Sequence, residues 1–437
     1  MLGFLDTGGT DEGHMVSEEV RRMNNLKKLT LKYTSMIILG FAVGWGFSAT
    51  AVAIPISPGD AGLSFLGALP GGDLSVDTGI NADGTSMPTL SYSGGTLTGT
   101  VITQAGGPEI AAFLFDGDSI FDTGNVLNVM GGSRPLALLF QGGATIRGTI
   151  DVSGGDGTPG GTRLTGTRGA GVAGGGNGGY GCCFSSPVDG QGPGGGGAGA
   201  SSANREGPGA GGGFGTEGGG IGGILSAPAG VSYGDPLHDL FQGGSGGGGG
   251  GGTCCVGSFF NGGDGGGAGG GAVEIGALTT LDLAGATILA NGGKGGDDTG
   301  TGGGGGSGGA ILLHAFDINI DAMSVLRANG GAGGGTAVRG ACGGAGRIEV
   351  VTNTGGTLNA LGTIEALGGP DPSESCNDGA LVASSFANIG QVSMSPPPNA
   401  LPEPPEWALL GIGLFMLAAV NKRRRRAFGA GVQFLRF

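Results

Sequence analysis

Few residues in this chain are equipped for chemistry. Histidine occurs only at positions 14, 238 and 314. His314 lies in the apolar run Ile311 to Phe316, where an imidazole reads as a packed or rim residue rather than a catalyst. His238 stands between Asp235 and Asp239 with carboxylates near but no nucleophile beside it. Between Gly270 and Gly369 the candidate acid, base and cation types are Glu274, Asp282, Asp317, Asp321, Arg347 and Glu349. Acid–base work needs such groups to converge on one exposed surface. In sequence they do not recur at matching positions, and outward charges along a strand also serve solubility. No HExxH pair or phosphate loop occurs, and runs of glycine generate GxGxxG and GxSxG matches, the latter at Ser245 and Ser307, by chance. The reading is therefore no catalytic residue and no cofactor site.

The cysteines are Cys182, Cys183, Cys254, Cys255, Cys342 and Cys376, none in a CxxC. The spacing lacks the pattern and the partner histidines of a zinc site. The expectation is disulfides, with the adjacent pair Cys182 and Cys183 bridged to Cys254 and Cys255, and Cys342 to Cys376. Six cysteines still leave every connectivity open on sequence alone. The stretch Gly292 to Asp297 resembles the opening of a calcium-binding nonapeptide. Thr299 stands where that repeat needs a large apolar residue, and there is one copy, so a solvated turn and no metal is the reading.

These residues must be positioned by a repeating scaffold. Gly270 to Gly296 matches Gly308 to Gly334 at a shift of 38 residues, and a third copy runs from Gly344 to Gly369. Two earlier copies start at Ile110 and Pro135, offset by 25. Each holds short alternating strands, such as Val273 to Ile275, Leu281 to Leu283 and Thr287 to Leu289, separated by Gly, Asn or Asp. A unit this small cannot bury its apolar side alone, so copies must stack. The expected fold class is all-β, a right-handed parallel β-helix with long Gly-rich insertions, plus a short C-terminal transmembrane helix. A sandwich or barrel would need hairpin signals that are scarce.

The expected organisation is 54–107 as an N-terminal β cap, 108–153 and 270–369 as β-helix coils, and 154–269 as a Gly- and Cys-containing insertion. The insertion reads as a cross-linked mobile flap or a packed Gly-rich coil. Residues 370–400 form a Ser/Pro-rich spacer. Of 437 residues 112 are Gly, yet no three-residue period indicates collagen. Between Ile54 and Leu401 stand 9 Lys and Arg against 27 Asp and Glu, a net charge of −18, which argues against a nucleic-acid partner.

Both termini carry targeting patterns. Residues 1–22 are acidic and unlike the head of a signal peptide, which makes Met23 a second candidate start. Residues 23–53 read as a signal peptide: Lys27, Lys28 and Lys32, with Arg21 and Arg22 just before them, form a basic region, Met36 to Phe47 is apolar, and Ala51-Val52-Ala53 is a small-residue cleavage pattern. At the other end, 401–426 holds Pro402, Glu403 and Pro404, an apolar run from Trp407 to Val420, then Lys422 and Arg423, Arg424, Arg425 and Arg426. That order resembles the PEP-CTERM sorting signal of exported Gram-negative proteins. The resemblance covers about 26 residues; 427–437 is an extension that such tails usually lack. It implies an exosortase-type membrane protease as partner, cutting near Pro-Glu-Pro. It also implies transient anchoring in the inner membrane through the apolar run, and release to the cell surface or beyond, with exopolysaccharide as a further partner. The functional expectation is an exported, non-enzymatic structural or adhesive protein of the cell surface or matrix. The rival is a β-helix polysaccharide lyase or hydrolase, by fold analogy alone.

Overall fold

The computed structural model describes residues 55–384, except 60–62, 81–85, 105, 162–164, 183–185, 203–204, 222–226, 235–239, 253–261, 298–300, 337 and 371–380. An N-terminal cap holds β1 (Leu74–Asp77), β2 (Thr89–Tyr92), β3 (Gly95–Thr98) and β4 (Thr100–Ile102). Five coils follow, each of three strands. The first is β5 (Ile110–Phe115), β6 (Ser119–Phe121) and β7 (Val126–Gly131); the second is β8 (Leu136–Phe140), β9 (Ala144–Ile146) and β10 (Thr149–Asp151). Among the described residues of the insertion the named strands are the short hairpin β11 (Ser201–Ser202) and β12 (Arg205–Glu206). Coil three is β13 (Ala272–Ala277), β14 (Thr280–Leu283) and β15 (Thr287–Leu289); coil four is β16 (Ala310–Ala315), β17 (Asp317–Ile320) and β18 (Val325–Arg327). Coil five is β19 (Arg347–Thr352), β20 (Leu358–Ala360) and β21 (Thr363–Glu365), and β22 (Leu381–Ser384) lies beyond it.

Equivalent strands pair in parallel, so the coils stack into a three-sided solenoid. The first sheet runs β4-β5-β8-β13-β16-β19-β22, the second β6-β9-β14-β17-β20, and the third β3-β2-β1-β7-β10-β15-β18-β21. Ala272 faces Ala310 and Ile288 faces Leu326, a separation of 38 in both sheets. Antiparallel pairing occurs in the cap, where β4 joins β5 and β2 joins β1, closing the strand edges at that end. Period-two alternation sends Phe113, Leu138, Ile275, Leu313 and Val350 into the central core along one row. Phe115 stacks on Phe140 with centroids 5.5 Å apart.

The insertion packs as a second body of structure beside the coils. N–H groups of Gly265, Ala268 and Gly271 donate to the carbonyls of Thr158, Gly155 and Val152; those of Gly266 and Gly269 donate to Gly179 and Gly176. Asp264, Gly267 and Gly270 donate to Thr301, Gly304 and Ser307. Every third residue thus faces the same neighbour, the period of an extended threefold helix of the polyproline-II kind, which has no internal hydrogen bonds and so offers all its backbone groups to other segments. The Gly-rich stretches between coils three and four, 292–296 and 302–309, join the same array: Gly293 donates to Ala268 and Gly304 to Gly248. The segments lie so close that a Cβ on Gly247, Gly266 or Gly306 would overlap a neighbouring carbonyl. Glycine is needed there for its missing side chain. Positive φ is confined to turns such as Gly174, Gly192 and Gly335.

Two parts of the sequence reading are corrected. The fold class included a C-terminal transmembrane helix, but the described residues contain no helix, and none is long and apolar enough to cross a membrane. Glycine-rich, β-branched sequence makes strands and threefold segments instead. The run Trp407 to Val420 and the Pro402-Glu403-Pro404 motif lie outside the described residues. At 1.5 Å per residue that run would reach only about 21 Å of a ~30 Å core. Inner-membrane anchoring, and the membrane protease as partner, are withdrawn with the helix. The second correction concerns the cysteines: Cys182 is a buried thiol rather than half of a cystine, so its bridge to Cys254 or Cys255 is not formed. The segment carrying it is held by backbone hydrogen bonds, Cys182 N–H to Gly250 and Gly263 N–H to Cys182, at 3.1 and 2.7 Å. Cys342 is fully buried and its sulfur is disulfide-bonded. No disulfide joins two cysteines among the described residues; Cys183, Cys254, Cys255 and Cys376 lie outside them, as do the signal-peptide residues Ala51 and Ala53 and His14 and His238.

Candidate functional site

The first sheet is buried on both sides, so its outward positions form a second apolar layer, and the polar residues placed there are conspicuous. Ala112, Ala137, Glu274, Leu312 and Glu349 form one outward row; Leu114, Leu139, Gly276, His314 and Val351 form the next. Arg347 begins β19 beside Ala310 on the same side. Glu274, His314, Arg347 and Glu349 thus share one face, and all four are buried. Phe214, Tyr233 and Phe241 from the insertion, with Ile56 and Leu63 from the N-terminal segment, cover it.

Within this layer Glu274 Oε1 lies 2.9 Å from His314 Nε2. The same oxygen accepts the Ile56 N–H at 2.5 Å, which pins the N-terminal segment to the sheet. Arg347 donates from Nη2 to the carbonyls of Tyr233 and Gly234 at 2.8 and 3.1 Å and lies over the Phe214 ring. Tyr233 in turn donates to Gly243 O and accepts from Ser245 Oγ. Burial pushes the Tyr233 hydroxyl far above its ordinary range, with the Ser245 hydrogen bond and the Arg347 charge pulling weakly the other way. A carboxylate beside an imidazole can exchange a proton, but with Glu274 and His314 exposed by 1% and 6% no substrate reaches this pair without movement of its cover. What the arrangement does is rivet the N-terminal segment and the insertion to the solenoid.

Gly276 is the position that permits the rivet, because a Cβ there would fall on the His314 imidazole. Gly276→Ala is expected to displace His314 from Glu274, lower stability by about 1–3 kcal/mol as an overpacked site does, and loosen the N-terminal segment. Faster amide exchange or proteolysis confined to residues 55–59 would check it. A variant as protected as the parent would contradict it.

The other candidate carboxylates stand elsewhere, each engaged between successive coils. Asp282 accepts from Asn319 Nδ2 at 2.7 Å, and Asn319 Oδ1 from Asn359 at 2.8 Å, a ladder up the second sheet. Asp317 accepts from the N–H and hydroxyl of Thr357. Burial works against the charge of Asp321, but the Ser324 hydroxyl and the N–H groups of Gly285, Met323 and Ser324 outweigh it and hold its carboxyl below the usual range. Asp297 of the calcium-like turn holds the Lys294 ammonium at 2.6 Å, and that hydrogen bond keeps its carboxyl low. Among the described residues no three His, Cys, Asp or Glu side chains are grouped to hold a metal. At the corner where strands give way to the glycine array, Asn329 N–H donates to Asn291 Oδ1 and Leu367 N–H to Asn329 Oδ1.

The grouping of Glu274, His314, Arg347 and Glu349 was not visible in the sequence, and neither was the part played by Tyr233 and Phe214. The available signal was two-sided apolarity: Ile311 to Phe316 lacks the polar alternation of a strand with one wet face. Compared with family models, with curated proteins and with solved structures, the chain matches none.

Proposed function

We propose that this is an exported, non-enzymatic structural or adhesive protein of the cell surface or extracellular matrix, associated with exopolysaccharide and carrying a sorting signal of the PEP-CTERM kind. The observation that carries the reading is the use made of the polar side chains. Asp282, Asp317, Asp321 and Glu274, the groups a hydrolase would direct at substrate, are instead tied to neighbouring coils or to the N-terminal segment. A stack of this kind is stiff, its stability set by nearest-neighbour interfaces, which suits spanning and multivalent holding. The signal-like start and the Pro402-Glu403-Pro404 and Arg423 to Arg426 pattern support an extracellular destination.

The test is to incubate purified full-length protein with neutral and acidic polysaccharides, following reducing ends and unsaturated products alongside pull-down. Retention without turnover is the expected result. Turnover abolished by Asp282→Asn or Glu349→Gln would establish the lyase or hydrolase reading in its place.

A further inference from the structure

Where the parallel coils give way to the antiparallel cap, the third sheet carries an open cleft of about 300 Å³ lined by Asp73, Ser75, Ser91, Tyr92, Asn128 and Met130. Resting on the exopolysaccharide reading above, we propose that this cleft grips a sugar unit of a neutral, hydroxyl-rich polysaccharide.

The pairing of the sheet builds the site. Asn128 on β7 stands opposite Ser75 on β1, Ser75 opposite Ser91 on β2, and Ser91 opposite Thr96 on β3. One outward row therefore presents an amide and three hydroxyls at the strand spacing of about 4.8 Å. Ser91 Oγ and Thr96 Oγ1 are 3.3 Å apart. Asp73 Oδ1 accepts the Val126 N–H at 2.9 Å, which fixes the carboxylate and leaves Oδ2 as an acceptor at the edge of the cleft. Tyr92 at the edge of the cleft packs against the core beneath the sheet, and Met130, 74% exposed, stands on the β7 side.

A pyranose offers hydroxyls around its rim and C–H groups on its faces. Asp73 and the row from Asn128 to Ser91 match the rim, and Met130 matches a face. The charge pattern selects among glycans. No Lys or Arg lines the cleft, and Asp77 lies exposed one turn of the pleat beyond Ser75, so uronate, sulfate and phosphate groups meet like charge. A volume at the low end of small-molecule sites fits one sugar unit, with the polymer running on over the sheet.

Affinity electrophoresis of the full-length protein in gels containing dextran, soluble β-1,3-glucan or polygalacturonate tests this. The parent, Asn128→Ala, Ser91→Ala and Asp73→Asn are compared, with far-ultraviolet circular dichroism of each. The expected result is retardation by at least one neutral glucan, weakened tenfold or more in Asn128→Ala and in Asp73→Asn, with unchanged spectra. Retardation by a neutral glucan that all three well-folded variants retain would overturn the cleft while leaving polysaccharide association standing. Retardation by polygalacturonate alone would also overturn the cleft, through its charge argument. A parent retarded by no glycan would overturn the cleft and the exopolysaccharide reading together.

Discussion

Gly266→Ala is expected to abolish the folded insertion, whereas Gly71→Ala leaves stability unchanged or slightly raised. Gly266 lies mid-segment, its N–H donated to Gly179 at 2.8 Å and its carbonyl receiving Gly169 at 2.9 Å. A Cβ on it would meet only backbone, the carbonyls of Gly247 and Gly248, and backbone cannot rotate aside as a side-chain tip can. The threefold segments on either side would have to separate, breaking hydrogen bonds in several neighbours at once. Overpacking alone costs about 1–3 kcal/mol, and each buried backbone hydrogen bond left unmade adds about 1–3 kcal/mol. Two or three such losses are comparable with the whole stability of a domain. Gly71 has open space around its Cβ direction and no positive φ, so alanine there only restrains the unfolded chain. The measurement is soluble yield and the urea midpoint for both variants, with hydrogen exchange across 154–271. Equal midpoints would show that the glycine array is not close-packed in solution.

The same array marks where sequence reading succeeded and where it stopped. The 38-residue repeat is legible because a solenoid places equivalent residues one above another: Val273 must do for its coil what Ile311 does for the next, and they are paired neighbours. Alternation in Leu281 to Leu283 and Thr287 to Leu289 is likewise a direct imprint of one buried side. The glycine segments leave no such imprint. Their order lies in which backbone amide meets which carbonyl, and a residue without a side chain carries no pattern by which to read its neighbours. The insertion's scattered apolar residues are too sparse to form a core by themselves. Phe214 and Phe241 gain their burial against Ala112, Leu139 and Leu312 of the first sheet. Arg134 is illegible for a related reason: a lone basic residue between Ser133 and Pro135 reads as exposed turn, and nothing local announces that it is 2% exposed.

Glu109→Gln is expected to destabilise the cap by about 3 kcal/mol, the low end of the loss on breaking a buried ion pair, since Glu109 retains some exposure. Arg134 sits between β7 and β8 and donates from Nε and Nη2 to Glu109 Oε2 at 2.9 and 2.8 Å. Its Nη1 reaches across to the carbonyls of Ser86 at 2.8 Å and Thr78 at 3.4 Å, residues of the β1–β2 connection. Gly79 keeps the space open, since a Cβ there would strike the guanidinium and its φ of 73° already favours glycine. The guanidinium thus ties the cap to the first coil. Without the Glu109 charge it stays enclosed with only neutral acceptors, and a buried cation so left is costly. Arg134→Met removes the cation instead: Glu109, 32% exposed, can rehydrate, and methionine fills part of the volume, so the loss should be smaller. The double variant should be more stable than Glu109→Gln alone, a coupling of at least 1 kcal/mol by the standard of contacting residues. A double-mutant cycle on urea midpoints measures this, with hydrogen exchange at β1 and β2 reporting whether the loss is confined to the cap. Strictly additive single effects would mean that the pair does not act as a unit, and that the cap is held by its strand pairing alone.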